Sequence, residues 1–136
     1  MHPTILICSA SIAILTLLLA FWTSIQRGAS STIAYGAPLD PASAMAKAQR
    51  AHGNAAEYAA LLIALFFTVG FAYQDRDLGD LVTWTVIAVT VSRVLHALGF
   101  LICATLEKPH VLKAIGAIIT YIGGLLLAGL AVSKVL

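Results

Sequence analysis

An all-α integral membrane fold, a bundle of four spanning helices, is what this sequence predicts, and three observations predict it. The 136 residues are 60% hydrophobic and only 10% charged, with a mean hydropathy of +0.96, far outside the range of water-soluble domains. Four apolar runs, 4–26, 56–73, 81–106 and 111–133, each come near the ~20 residues that carry a helix across a bilayer. None of them alternates apolar with polar residues, as the strands of a membrane β-barrel do.

The first helix is expected over about 4–26. It has the position of a secretion signal, with small residues between Ser9 and Ala13, but no Lys or Arg precedes it and it exceeds a signal core in length, so it reads as a helix of the mature protein. RGASSTIAYGAPLD, residues 27–40, is rich in Gly and Ser and reads as a loop. Asp40 can cap a second helix with Pro41 at its first position, which makes that helix, about 41–73, begin before its apolar part and project from the membrane. QDRDLGD, residues 74–80, makes an acidic turn, with Asp80 as the cap of a third helix over about 80–106. EKPH, residues 107–110, makes the last turn, and Pro109 opens a fourth helix over about 109–134. The whole chain, 1–136, is then one four-span domain. In the fourth helix Gly116, Gly123, Gly124 and Gly129 permit close helix packing.

Charge and cysteine content exclude several classes. A formal charge of +2 with no basic run gives no footprint for nucleic acid. Cys8 and Cys103 both fall in apolar runs and read as small buried hydrophobes, neither a disulfide nor a metal pair. Four spans place both termini on one side. The side of the first and third loops carries Arg27, Lys47, Arg50, Lys108 and Lys113, against Arg76 and Lys134 on the other, so the positive-inside rule predicts that the first and third loops face the cytoplasm.

The polar residues inside the spans carry the functional expectation. At ~100° per residue, Arg50, Asn54 and Glu57 share one stripe of the second helix. Glu57 lies about 15 Å into the apolar layer if the helix enters it near Lys47. A carboxylate facing lipid at that depth costs several kcal/mol, so it must face protein or a wet cleft. Arg93, His96 and Phe100 repeat the same spacing in the third helix, at similar depth. A direct or near-direct Glu57–Arg93 ion pair is therefore expected, with Asn54 and His96 adding hydrogen bonds. Such pairs also serve to fix helix register, but five polar groups on two stripes toward one surface make a polar cavity, rimmed by Lys47 and Arg50 and suited to a carboxylate-bearing ligand.

These residues resemble a known family. RAHGNAAEY, residues 50–58, is similar to the Arg-x-x-x-Asn-x-x-Glu signature on the second helix of the MAPEG family, the membrane-associated proteins of eicosanoid and glutathione metabolism. RVLHALGF, residues 93–100, resembles the Arg-x-x-His-x-x-x-Tyr stretch of its prostaglandin E synthase branch, and IAYG followed by RAHGNAAEY is similar to small bacterial members. The resemblance implies a homotrimer in a bacterial inner membrane, with glutathione as co-substrate in a cytoplasm-facing site between protomers. It also implies glutathione-binding roles for Arg27, Arg50, Asn54, Glu57, Tyr58, Arg93 and His96, with Glu57 accepting from the peptide's amino group.

The chain departs from the family pattern at three positions. Phe100 replaces a tyrosine, Ala60 replaces a proline, and no arginine stands near the start of the fourth helix, where active members hold one beside the glutathione thiolate. Lys113, with His110 behind it, is the substitute cation, although an ammonium lacks the guanidinium fork. The activity implied is that of a glutathione-dependent transferase or peroxidase acting on hydrophobic electrophiles or lipid hydroperoxides. The alternatives are a non-catalytic glutathione- or lipid-binding scaffold of the same fold, and a small transporter or channel subunit gated by Glu57 and Arg93. The spans lack the Gly/Pro-interrupted pairs of transporter sites.

Overall fold

The computed structural model of the chain describes residues 2–30, 40–134 and 136. Four helices follow one another: α1 (Pro3–Ser30), α2 (Ala44–Ala72), α3 (Gly79–Ile102) and α4 (Val111–Val132). All four are long and apolar enough to cross a membrane. Their antiparallel order is tied down at both ends. At one end the Leu106 amide donates to the Pro41 carbonyl at 3.1 Å, joining the α3–α4 connection to the start of α2. At the other, His2 Nε2 lies 2.9 Å from the Tyr73 carbonyl oxygen, joining the N-terminus to the end of α2.

Helix ends differ from the sequence expectation where capping was judged from residue type alone. Asp40 does not cap α2: its carboxylate accepts from the Ala42 amide in a turn that precedes the helix, and Ser43 is the cap, its hydroxyl accepting from Ala46. The helix still begins twelve residues before the apolar run, because Ala44 to Ala51 are all good helix formers. Asp80 lies inside the first turn of α3, which begins at Gly79, a residue at φ +73° that only glycine adopts without strain. There it complements the helix dipole without capping. Pro109 precedes α4, whose cap is His110. α3 stops at Ile102, four residues short of expectation, and α1 runs on to Ser30, so Arg27 is helical. The IAYG segment, residues 33–36, lies outside the described residues.

The core divides by depth. Toward the termini, Ile5, Ile12, Leu62, Phe66, Val69, Val82, Val86, Val89 and Leu127 form a continuous apolar cluster. Toward the α1–α2 and α3–α4 connections the apolar packing thins to Leu19, Ala51, Ala55, Ala97 and Phe100, which leaves room for polar side chains. α3 and α4 meet at backbone distance. A Cβ added at Gly116 would sit 2.6 Å from His96 Cβ and 2.7 Å from the Ser92 carbonyl oxygen, and one at Gly123 would sit 2.5 Å from Val89 Cγ2. Gly99 answers from α3, where a Cβ would meet the Lys113 amide nitrogen at 2.8 Å. Without a hydrophobic drive between helices in lipid, this close approach is what holds them. Gly124 and Gly129 do not share in it: a Cβ at either meets nothing within 4 Å.

Candidate functional site

The polar cluster is built where α2 and α3 run side by side. Side chains on a helix lean toward its N-terminus. Glu57 therefore leans back toward the start of α2, while Arg93, on antiparallel α3, leans the opposite way. The Glu57 carboxylate receives Arg50 Nη1 at 3.3 Å and Asn54 Nδ2 at 3.4 Å. The Arg93 guanidinium donates to Asn54 Oδ1 and, at 3.5 Å, to the Asn54 backbone carbonyl, and it stacks over the Tyr58 ring with Cζ 4.6 Å from the centroid.

The direct form of the expected ion pair is absent among the described residues, and a near-direct link through the Asn54 amide stands in its place. Glu57 pairs with Arg50, and Arg93 reaches Glu57 only through the Asn54 amide. The geometry of the amide explains why: a guanidinium only donates and a carboxylate only accepts, so Asn54 must turn its oxygen to one and its nitrogen to the other. Arg93 is 3% exposed, and among the described residues its contacts are a neutral amide, a carbonyl and an aromatic face. The Arg50–Glu57 pair is half uncovered, its side chains 50% and 55% exposed.

Two cations and an imidazole surround Phe100. Arg50 Cζ lies 5.7 Å and Lys113 Nζ 5.4 Å from its centroid, and the His96 ring meets its edge at 5.0 Å and 89°. In place of a phenol hydroxyl, Phe100 offers a quadrupolar face that holds cations. His96 does not join the Asn54 cluster as expected. Its Nδ1 lies 2.6 Å from the Lys113 carbonyl oxygen, an acceptor only, so Nδ1 carries the proton. Beside Arg50, a groove of about 580 Å³ is lined by Pro41, Ala46, Gln49, Gly53, Leu106 and Glu107, within the size range of small-molecule sites.

The model of the MAPEG family matches residues 5–133. The chain belongs to the MAPEG family. No curated protein and no solved structure matches it. As a MAPEG member with four apolar helices it is an integral, multi-pass membrane protein, and membership associates it in general terms with glutathione and eicosanoid metabolism.

The remaining candidate positions of this MAPEG chain are dispersed around the same end. Lys113 Nζ donates to the Lys108 carbonyl at 2.9 Å. His110 Nδ1 accepts from the Leu112 amide at 3.3 Å as the cap of α4, which gives it a structural duty. Arg27, in the last turn of α1, is exposed; its carbonyl accepts from the Ser30 hydroxyl at 3.4 Å, and its side chain makes no hydrogen bond or ion pair among the described residues. Sequence reasoning missed Tyr121, whose hydroxyl accepts from Tyr58 at 3.2 Å. The available signal was a phenol midway along an otherwise apolar fourth run.

Proposed function

We propose that this MAPEG protein binds glutathione at the Arg50–Asn54–Glu57–Arg93 cluster and uses it as a co-substrate, as a transferase or peroxidase toward hydrophobic electrophiles or lipid hydroperoxides. The observation that carries the reading is the buried Arg93 cation, whose direct contacts are all neutral and whose carboxylate neighbour, Glu57, stands behind the Asn54 amide. A buried charge without a directly bonded counter-charge is costly, and a ligand carboxylate would supply one. Glu57, already shared between an amide and a half-exposed arginine, is suited to accept from the ligand's ammonium, and Tyr58 and His96 border the same space.

The half-exposed Arg50–Glu57 pair on a membrane-spanning helix supports a homotrimer, in which a second copy covers the pair and Arg27 of one protomer approaches the site of the next. The excess of positive charge at this end of the bundle supports a cytoplasm-facing site, and the similarity of IAYG and RAHGNAAEY to small bacterial members supports a bacterial inner membrane. Lys113 is the cation we assign to the thiolate, with His110 behind it. Free thiols ionise near a pKa of about 8.5, and a neighbouring cation raises the thiolate fraction.

Calorimetry of glutathione with the detergent-purified protein tests binding, and a conjugation assay with an aryl halide tests turnover. No heat of binding overturns the reading. Binding without conjugation favours a non-catalytic scaffold, the reading supported by the engagement of Lys113 with the Lys108 carbonyl.

A further inference from the structure

The imidazole of His96 is held from three sides. Gly116 of α4 makes room for it, since a Cβ there would stand 2.6 Å from His96 Cβ. The Lys113 carbonyl accepts from Nδ1 at 2.6 Å, and the ring meets Phe100 at 89°, so its rotation and its tautomer are both fixed. A neutral imidazole that donates from Nδ1 carries a lone pair on Nε2. Nε2 has no hydrogen bond among the described residues, although His96 is only 8% exposed. Nor is it sealed off, because the fully buried side-chain polar atom left without a partner among the described residues is Ser9 Oγ. An accessible lone pair on a ring oriented by a third group is the arrangement of a general base beside a nucleophile. The Lys113 ammonium stands at the same Phe100 ring, 5.4 Å from its centroid.

We propose that His96 is the general base of this site: its Nε2 takes the thiol proton of bound glutathione, and Lys113 holds the thiolate that results. The proposal rests on the function proposed above and adds a catalytic residue to it. Neither cation near the start of α4 can do this work. An ammonium has no lone pair to offer, and a neutral His110 that accepts from the Leu112 amide at Nδ1 has its lone pair engaged and its proton on Nε2. In the step itself the S–H bond breaks and an Nε2–H bond forms, so the proton stays in the protein while the sulfur becomes the nucleophile. With an aryl halide the thiolate then forms the carbon–sulfur bond, halide departs with the electron pair, and the imidazolium returns its proton to water. Charge sets the order of events. Arg50 of α2 and Lys113 of α4 share the Phe100 ring with His96, Arg93 lies one turn before it on α3, and the carboxylate of Glu57 stands against them. An imidazolium joins these cations when glutathione brings its two carboxylates and the new thiolate.

The test follows the proton. As glutathione binds the detergent-purified parent at neutral pH, thiolate is read by its ultraviolet absorbance, and released protons are counted by calorimetry in two buffers of different ionisation enthalpy. Thiolate should appear while the proton is retained. Thiolate accompanied by a full proton released to buffer overturns the proposal, as does binding without thiolate; both outcomes leave the binding reading standing. Absence of any glutathione heat sinks that reading and this proposal together. His96→Asn keeps an amide donor for the Lys113 carbonyl where Nδ1 stands and removes the base. Its conjugation rate with an aryl halide at saturating glutathione should fall about a hundredfold or more, while affinity falls less than about tenfold. Thiolate absorbance should be lost with it. A folded variant that conjugates at the parental rate, or that forms thiolate as the parent does, overturns the proposal, and the proton count on the parent decides the question should the variant fail to fold.

Discussion

α3 presents two seams in the same half of the bundle, and they are built by opposite means. Toward α4 it offers Ser92, His96 and Gly99, which meet Gly116 and the Lys113 backbone so closely that a single added methyl has no space. The Ser92 hydroxyl lies 2.9 Å from that of Thr120, closing the contact with a hydrogen bond. Toward α2 it offers Arg93 and Phe100, whose long side chains hold Asn54, Tyr58 and Arg50 at side-chain distance. The first seam removes side chains and gains rigidity. The second keeps polar side chains between the helices and gains a place where a ligand can exchange contacts with protein groups. The tight seam fixes the frame on which the polar seam holds its charged groups.

The largest expected effect breaks the tight seam. Gly116→Leu drives a side chain into the His96 Cβ and the Ser92 carbonyl, and should cost about 3 kcal/mol or more, since neither neighbour is the free end of a flexible side chain. Thermal melting of the purified variant checks this, and a melting temperature like the parent's would show that the seam yields more easily than its distances imply.

Arg93→Leu strikes the polar seam, and its two effects should be unequal. Glutathione affinity should fall about ten- to a hundredfold, from loss of a charge-assisted contact worth roughly 1.5 to 3 kcal/mol. Stability should fall by no more than ~1 to 2 kcal/mol, because the lost partner of Asn54 is offset by removal of a buried cation. Calorimetry and melting on one preparation separate the two, and the comparison fails if the melting temperature drops while affinity holds.

Glu57→Gln keeps the shape and removes the negative charge. Affinity for glutathione should fall about ten- to a hundredfold, each ~1.4 kcal/mol being a factor of ten. If a variant with a parental melting curve binds as tightly as the parent, the stripe is a structural brace.

The smallest effect on the fold belongs to Lys113→Ala, which deletes a half-buried ammonium bonded to one carbonyl and should cost less than ~1 kcal/mol. Its effect on conjugation sharpens the comparison: a fall in turnover without a fall in glutathione affinity assigns Lys113 to the thiolate, and unchanged turnover withdraws that assignment.

Helix number, order and apolar extent were legible because length and hydropathy act locally and need no partner. The stripe of Arg50, Asn54 and Glu57 was legible for the same reason, since helical spacing alone puts these residues on one face. The partner of Glu57 was not. Matching depths pointed to Arg93, but lean along each helix axis carries Glu57 back toward Arg50 and Arg93 toward Tyr58, leaving Asn54 between them. Similarly, four glycines in α4 looked equivalent, whereas only Gly116 and Gly123 face α3, a matter of helix rotation that no local pattern encodes.

Capping divides along the same line. The sequence by itself placed a polar connection between successive spans, where backbone groups leaving the helices can bond outside lipid, although α3 starts from Leu78 with no side-chain cap. Which residue caps a helix depended on where the chain could turn: Asp40 is consumed by its own turn and Ser43 stands next in line, while His110 caps α4 after Pro109 has fixed the approach. Composition and periodicity therefore settle what must be buried and what must not meet lipid, since those costs belong to each residue alone. Pairings across helices, such as Asn54 with Arg93, His96 with the Lys113 carbonyl and Tyr58 with Tyr121, were decided only by tertiary structure, because they depend on rotation and separation of helices that are set by packing elsewhere.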